Sequence, residues 1–227
     1  MTFKQFSNSL TKEGAEGELI KTIFFSLLTS FIVLGVLYLF KLKYINNFIP
    51  KYGFYLLFAI LSYSLILPSV RHIRAYKEFP CMTGMMIGMT LGMISGFLSG
   101  FYIASTNGMF WGSLFGMAVG ILFGAWNGKC CGVMGVMEGM MAGFMGGLMR
   151  AMTAFMLLND HLKATTVRVF VLSSVIMIGL NYMVYKETRE MERKHKDTEL
   201  FVIAWSFILT IVTIWLMVFG PRSSLFQ

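Results

Sequence analysis

The chain has 227 residues, of which 56% are hydrophobic and 13% are charged, and it carries a formal net charge of +8. Soluble domains contain about 25% charged residues, so this deficit excludes an ordinary soluble protein and indicates long membrane helices. Lys and Arg fall between the apolar runs. There they orient helices and meet anionic lipid, so we expect a lipid bilayer and no nucleic acid as a partner.

The first part of the chain predicts a polar tail and two membrane helices. Residues 1–19 form the polar N-terminal tail, and residues 20–79 hold transmembrane helices 1 and 2, at about 20–40 and 54–70. The apolar run of helix 1 is too long for a signal peptide, so we expect it to be retained. Arg71, His72 and Arg74 are expected in a charged loop after helix 2.

Residues 80–161 differ in composition from both flanks, since they hold 15 of the 20 methionines and 17 of the 23 glycines. Helices 3, 4 and 5 are predicted at about 81–104, 109–126 and 130–158. Short polar stretches at 105–108 and 127–129 are expected to be turns. Helix 5 exceeds the roughly 20 residues that a membrane span requires, so it must tilt, break or extend beyond the bilayer.

The last part of the chain, residues 162–227, predicts helices 6 and 7 at about 167–185 and 200–219, with a charged loop at 186–199. With seven crossings and a cytoplasmic N-terminus, twelve Lys and Arg residues lie inside and six lie outside. This balance favours a chain integral to the plasma membrane with its N-terminus in the cytoplasm. The predicted fold is therefore all-α, a polytopic integral membrane bundle of about seven helices around a central three-helix glycine-ridge module.

Glycine recurs at every fourth residue in helices 3, 4 and 5. Lipid provides no hydrophobic drive for helices to associate, so association depends on the close backbone approach that glycine allows. The structural interpretation is that the three ridges pack on one another. The functional alternative is self-association, in which one ridge meets the same ridge of a second copy. The candidate packing residues are Gly84, Gly88, Gly92, Gly112, Gly116, Gly120, Gly135, Gly139 and Gly143.

Methionines form one stripe on helix 3 and another on helix 5. At about 100° per residue, the first stripe covers roughly 60° of arc and the second about 80°. Thioether sulfur selects Cu(I), and a column of weak sites lets an ion leave as well as enter. The candidate transport path consists of Glu138, Met134, Met141, Met145, Met82, Met86, Met89 and Met93. Packing is the plainer interpretation, because flexible methionines fill gaps that glycine ridges leave.

Glu138 lies inside the methionine stripe of helix 5 and is the acidic residue that falls well within a predicted helix. An intramembrane carboxylate is a functional candidate by default, as a station for a cation or a proton. A structural bond to a neighbouring hydroxyl is the alternative. Arg150 projects from the opposite face of the helix, about 18 Å from Glu138 along the axis, which is too far for a direct pair.

The three cysteines are Cys81, Cys130 and Cys131, and they imply no disulfide framework because two of them are adjacent. Cys130 and Cys131 flank the methionine stripe if helix 5 begins there. They form the candidate metal set together with Met134 and Glu138, and Cu(I) is the candidate ion. The alternative is that both thiols are small buried groups at the start of a helix.

One short motif resembles a known family. Met82-x-x-x-Met86, together with the Gly-x-x-x-Gly helices, is similar to the core of the trimeric high-affinity copper transporters. The resemblance covers a few residues of one helix. Those transporters have three helices, whereas about seven are predicted here, and they carry methionine-rich tails that this chain lacks. The resemblance therefore assigns no residue a role.

These features favour an integral membrane transporter or channel for a soft metal ion such as Cu(I). The alternative is a non-catalytic scaffold or assembly subunit that forms a homo-oligomer or binds a membrane partner protein through its glycine ridges. The sequence contains no nucleophile elbow, zincin or P-loop motif, so we expect no enzyme.

Overall fold

The computed structural model describes residues 15–40, 52–74, 79–157, 161–188 and 199–221. These residues form long α-helices and no strand, as expected where lipid leaves every backbone polar group to be satisfied within the chain. The helices are α1 (Ala15–Phe40), α2 (Phe54–Arg74), α3 (Cys81–Asn107), α4 (Met109–Gly128), α5 (Gly132–Met156), α6 (Leu162–Thr188) and α7 (Glu199–Phe219). A 3₁₀ turn, Lys129–Cys131, joins α4 to α5.

Six helical stretches of the described chain are long and apolar enough to cross a membrane. The fourth stretch, Met109–Met156, is 48 residues long and contains both α4 and α5, which fold back on each other at the 3₁₀ turn. The difference between these six stretches and the predicted seven helices therefore lies in this one hairpin.

α1 and α2 both extend beyond their predicted ends. α1 begins at Ala15, within the predicted polar tail, and α2 continues to Arg74. The predicted charged loop is wrong at Arg71, His72 and Arg74, because these residues form the last turn of α2, where Arg71 and His72 are buried. Arg71 Nη1 donates a hydrogen bond to Thr22 Oγ1 of α1 at 2.8 Å. The neighbouring helix α1 thus supplies a hydrogen-bond partner for Arg71, a residue that the local sequence predicts to lie in a loop.

The two links inside the central module are tighter than predicted. α3 continues to Asn107, so the first turn reduces to Gly108, whose φ of 110° favours glycine. The second link is the 3₁₀ turn, followed by Gly132 with a φ of 70°. Cys130 and Cys131 lie in this turn, so the prediction that helix 5 begins at Cys130 is wrong by two residues.

The remaining helix ends differ from the sequence prediction by a few residues. α5 ends at Met156 instead of 158, and α6 starts at Leu162, five residues before its predicted start. α7 begins at Glu199. Lys186 and Glu187 of the predicted charged loop belong to α6, while positions 189–198 lie outside the described residues.

α3, α4 and α5 contact one another through their glycines, backbone against backbone. A Cβ placed on Gly92 of α3 would lie 2.7 Å from the Gly139 carbonyl oxygen of α5 and 3.0 Å from the Gly124 Cα of α4. A Cβ on Gly120 of α4 would lie 2.7 Å from the Gly143 carbonyl oxygen. At these distances any side chain would displace a neighbouring helix, so hydrogen is the substituent that fits.

The order of the glycine contacts gives the direction of each helix. Gly92, Gly96 and Gly100 of α3 meet Gly139, Gly143 and Gly147 of α5 in the same order, so α3 and α5 are parallel. The glycines of α4 meet those of α3 and α5 in reverse order, so α4 is antiparallel to both. Backbone fills the interior of the module, which leaves the faces away from the ridges for function.

α2 connects the central module to the flanking helices. Ser62 of α2 and Tyr102 of α3 share a buried hydrogen bond of 2.7 Å between their hydroxyl oxygens. On another side of α2, the Asn181 amide of α6 donates to Ser69 Oγ at 3.0 Å. Such buried polar contacts, beside apolar packing, hold helices together where lipid surrounds them.

Candidate functional site

The methionines of the predicted path lie on the outer surface of the bundle. Their exposed fractions range from 39% at Met93 to 79% at Met82. The atoms nearest to the ridge glycines, in contrast, are backbone atoms and the Cβ atoms of Ala104, Cys130 and Cys131, and not these thioethers. The exposure of these methionines thus gives little support to the packing interpretation, in which methionines fill gaps left by glycine. The exposed path residues are Met82, Met86, Met89, Met93, Met134, Met141 and Met145.

The stripe on α5 continues along the whole helix. Met149, Met152 and Met156 are also exposed and repeat at intervals of three and four residues. From Met134 to Met156 the helix rises about 33 Å, which is close to the thickness of the hydrocarbon core of a bilayer. We call the exposed methionines of α3 and α5 the methionine face.

Exposed methionine is confined to a small part of the molecule. On α1 and α6 the large exposed apolar side chains are Ile, Leu, Phe and Val. Among the described residues, Met109 of α4 is the one exposed methionine outside the methionine face. Contact with lipid alone does not require methionine, as α1 and α6 demonstrate, so the composition of the methionine face calls for another explanation.

Glu138 lies on the methionine face of α5, four residues after Met134 and three before Met141. Its side chain is partly buried. Within the described part of the chain no hydrogen bond or ion pair of Glu138 is found, so the alternative of a structural bond to a hydroxyl gains no support there. A carboxylate among thioethers can neutralise a cation that the sulfur atoms hold.

The cysteines are arranged differently from the prediction. Cys81, at the start of α3, forms a disulfide with Cys131 across a Cα–Cα distance of 5.0 Å, and Cys130 is a free, partly exposed thiol. The cysteine spacing did not imply this bond, because the fold brings together two cysteines that are 50 residues apart in sequence. In this oxidised form Cys131 offers no thiolate to a metal.

The candidate metal set is thereby reduced to Cys130, Met134 and Glu138 while the disulfide is intact. Across the described residues, no group of three or more His, Cys, Asp and Glu side chains is placed to hold a metal ion. A metal on the methionine face would therefore depend on thioether ligands. That donor set fits Cu(I) and does not fit hard ions.

A cavity of about 520 Å³ opens at the link between α3 and α4. Its lining residues are Asn107, Gly108, Met109, Phe110, Trp111, Ser113 and Phe155. None of the predicted site residues lines it, so the cavity is separate from the methionine face.

Sequence reasoning assigned Arg150 no role, although the residue proves to be an unusual buried group. Its side chain is 4% exposed and lies against the rings of Phe97 and Phe101, at 4.0 and 4.3 Å from the ring centroids. The sequence contained one signal, a lone cation in an apolar helix on the side opposite the methionine stripe.

Long apolar helices around a glycine-packed core define the class of this chain as a polytopic, all-helical membrane-type protein. The chain matches no protein family, no curated protein and no solved structure. Its own residues are therefore the basis for a functional proposal.

Proposed function

We propose that the chain is an integral plasma-membrane protein with seven crossings and a cytoplasmic N-terminus, and that it moves a soft cation, with Cu(I) as the best candidate, along the methionine face. The observation that carries the proposal is the outward exposure of the methionines of α3 and α5. These methionines are largely exposed, and they repeat along a helix of membrane length. Among the described residues, Met109 is the one exposed methionine on any other helix.

The proposal requires that something cover the methionine face. A cation exposed to lipid is strongly destabilised, so thioethers on a bare surface cannot conduct. A second copy of the chain, or a membrane partner, would close the path and place sulfur ligands on both sides. The glycine ridges are occupied within one chain, so such an assembly would use another surface, and the methionine face is the surface that offers sulfur ligands.

Glu138 is the polar station in this scheme. A carboxylate next to Met134 and Met141 would offset the charge of the moving ion at one depth and leave the rest of the path neutral. Weak neutral sites on either side of a charged one let the ion both enter and leave.

The test is Cu(I) flux into vesicles that contain the purified protein, together with the growth of expressing cells on toxic copper. We expect Glu138→Gln and the double variant Met141→Leu/Met145→Leu each to reduce flux at least severalfold. The matched control is Met177→Leu/Met217→Leu, which makes the same change at methionines buried in α6 and α7. If all variants carry copper like the wild type at equal protein levels, the metal proposal fails.

A non-catalytic scaffold is the second candidate, and the packing of α5 supports it. Within the described residues α5 contacts α3, α4 and the 3₁₀ turn but none of the flanking helices extensively, so its outer side is available to a membrane partner. This candidate predicts a stable oligomer or complex in nanodiscs whose size Met141→Leu/Met145→Leu leaves unchanged, together with no copper flux. A monomer in nanodiscs that carries copper would contradict it.

A further inference from the structure

Arg150 is a charged side chain that the proposed transport path does not use. It lies on the side of α5 opposite the methionine face, six residues before Met156, or about 9 Å from the end of the helix. The guanidinium is held between α5 and α3 by Phe97 and Phe101, with 4% of the residue exposed. The two rings fix its plane without using its N–H donors.

One edge of this guanidinium has no partner. The Nε and Nη2 atoms of Arg150 are both buried and neither has a hydrogen-bond acceptor among the described residues. These two atoms form the side-on edge of the guanidinium, whose parallel N–H groups match the two oxygens of a carboxylate or phosphate. The two unpartnered atoms therefore act together as one bidentate hydrogen-bond donor.

The buried hydroxyls of Ser62 and Tyr102 do not satisfy this edge. Ser62 Oγ donates its single proton to the Phe58 carbonyl oxygen at 2.8 Å, so in the 2.7 Å bond between Ser62 and Tyr102 the tyrosine is the donor. The Tyr102 oxygen could still accept a hydrogen bond, yet neither Nε nor Nη2 of Arg150 has an acceptor among the described residues. Neither hydroxyl is therefore a partner of this edge.

The charge of Arg150 also has no ion-pair partner among the described residues. Glu138 is the acidic side chain of the described central module, and it lies about 18 Å away along α5. A buried cation without an anion destabilises a fold more than an apolar residue of similar size would. Such a group persists at an advantage only where an anion neutralises it.

We propose that the Nε–Nη2 edge of Arg150 binds an oxyanion, a phosphate or carboxylate group that accepts two parallel hydrogen bonds, near the C-terminal end of α5. The group belongs either to a small soluble anion or to the head group of an anionic phospholipid. The inference is independent of the metal proposal, because it uses the opposite face of α5 and a ligand of opposite charge.

The test measures thermal unfolding of the delipidated, detergent-purified protein. Inorganic phosphate and acetate are compared with chloride at equal ionic strength in one arm, and phosphatidylglycerol is added to the micelles in the other. At about ten times its Kd, a bound oxyanion raises Tm by roughly 3–6 °C. A shift in the first arm identifies a soluble anion, and a shift in the second arm alone identifies a lipid.

Variants distinguish recognition by the planar Nε–Nη2 edge of Arg150, the fork, from attraction by positive charge alone. Arg150→Lys keeps the charge without the planar fork and is expected to lose most of the shift, whereas Arg168→Met, an exposed change on α6, should keep it. Without anion, Arg150→Met should unfold at a temperature equal to or above that of the wild type. The proposal is overturned if the wild type shows no shift in either arm. It is equally overturned if Arg150→Lys keeps the full shift.

Discussion

At the scale of single residues, the glycines of the central module can be tested one atom at a time. A Cβ on Gly120 would lie 2.7 Å from the Gly143 carbonyl oxygen and 2.9 Å from the Gly143 Cα, and backbone cannot move aside as a flexible side chain can. We expect Gly120→Ala to destabilise the fold by about 1–3 kcal/mol, the typical cost of overpacking. Unfolding in mixed micelles, followed by circular dichroism, measures this loss.

The chain offers a matched control in Gly179 of α6. A Cβ on Gly179 meets nothing within 4 Å, and alanine is favoured over glycine in a helix by up to about 1 kcal/mol. Gly179→Ala should therefore be neutral or stabilising in the same measurement. If Gly120→Ala loses no more stability than Gly179→Ala, the backbone contacts around Gly120 do not limit the fold, and the role assigned to the ridges is wrong.

The spacing of the glycines in the sequence predicts their close contacts, but it does not predict the exposure of the methionines or the burial of Arg150. The interval of four between glycines predicted close helix contact, because glycine alone permits it. The outward position of Met82 and Met134 could not be predicted, because a methionine beside a glycine ridge fits a gap-filling role equally well. The burial of Arg150 depends on Phe97 and Phe101, which are far from it in sequence.

At the scale of helices, a side-chain hydrogen bond links α1 to α7. Ser26 of α1 and Ser206 of α7 are both fully buried and share a hydrogen bond of 2.8 Å between their hydroxyl oxygens. Bonds of this kind between membrane helices contribute on average about 0.6 kcal/mol, and at most about 1.7. We expect Ser26→Ala and Ser206→Ala each to reduce stability within that range.

A double-mutant cycle tests whether the two serines act as a pair. If the bond links α1 to α7, the double variant loses less than the sum of the single losses, since the second change removes nothing further. Strict additivity would mean that the hydroxyls act separately, through their own helices.

Helix identities followed from apolar run lengths, but helix ends did not. Arg71 and Arg74 were assigned to a loop because charge usually marks the end of a membrane span. The structure places both in α2. Arg71 donates a hydrogen bond to Thr22, and the Arg74 guanidinium lies 4.8 Å from the centroid of the Trp126 ring. Both partners belong to other helices, so no local rule could have found them.

At the scale of the whole molecule, two features favour opposite orientations. Positive charge places the N-terminal side in the cytoplasm. If successive helices alternate in direction, the start of α3 lies on that same side, and the Cys81–Cys131 disulfide lies there with it. Cytoplasmic thiols are normally kept reduced.

We expect charge to decide the orientation, so that Cys81 and Cys131 are reduced in growing cells and pair after oxidation. Acid trapping followed by alkylation and mass spectrometry measures their state, and a membrane-impermeant maleimide reports the side on which Cys130 lies. Labelling of Cys130 from outside intact cells, with the disulfide already formed, would place the N-terminus outside and contradict this expectation.

The proposed function depends on sulfur ligation at the methionine face, and the most direct measurement is the metal content of the purified protein after loading with Cu(I) under reducing conditions. X-ray absorption at the copper edge then identifies the ligand atoms. We expect the protein to retain Cu(I) with sulfur neighbours, and to lose it in Met141→Leu/Met145→Leu but not in Met177→Leu/Met217→Leu. Copper retained equally by both double variants, or by no form of the protein, would contradict it.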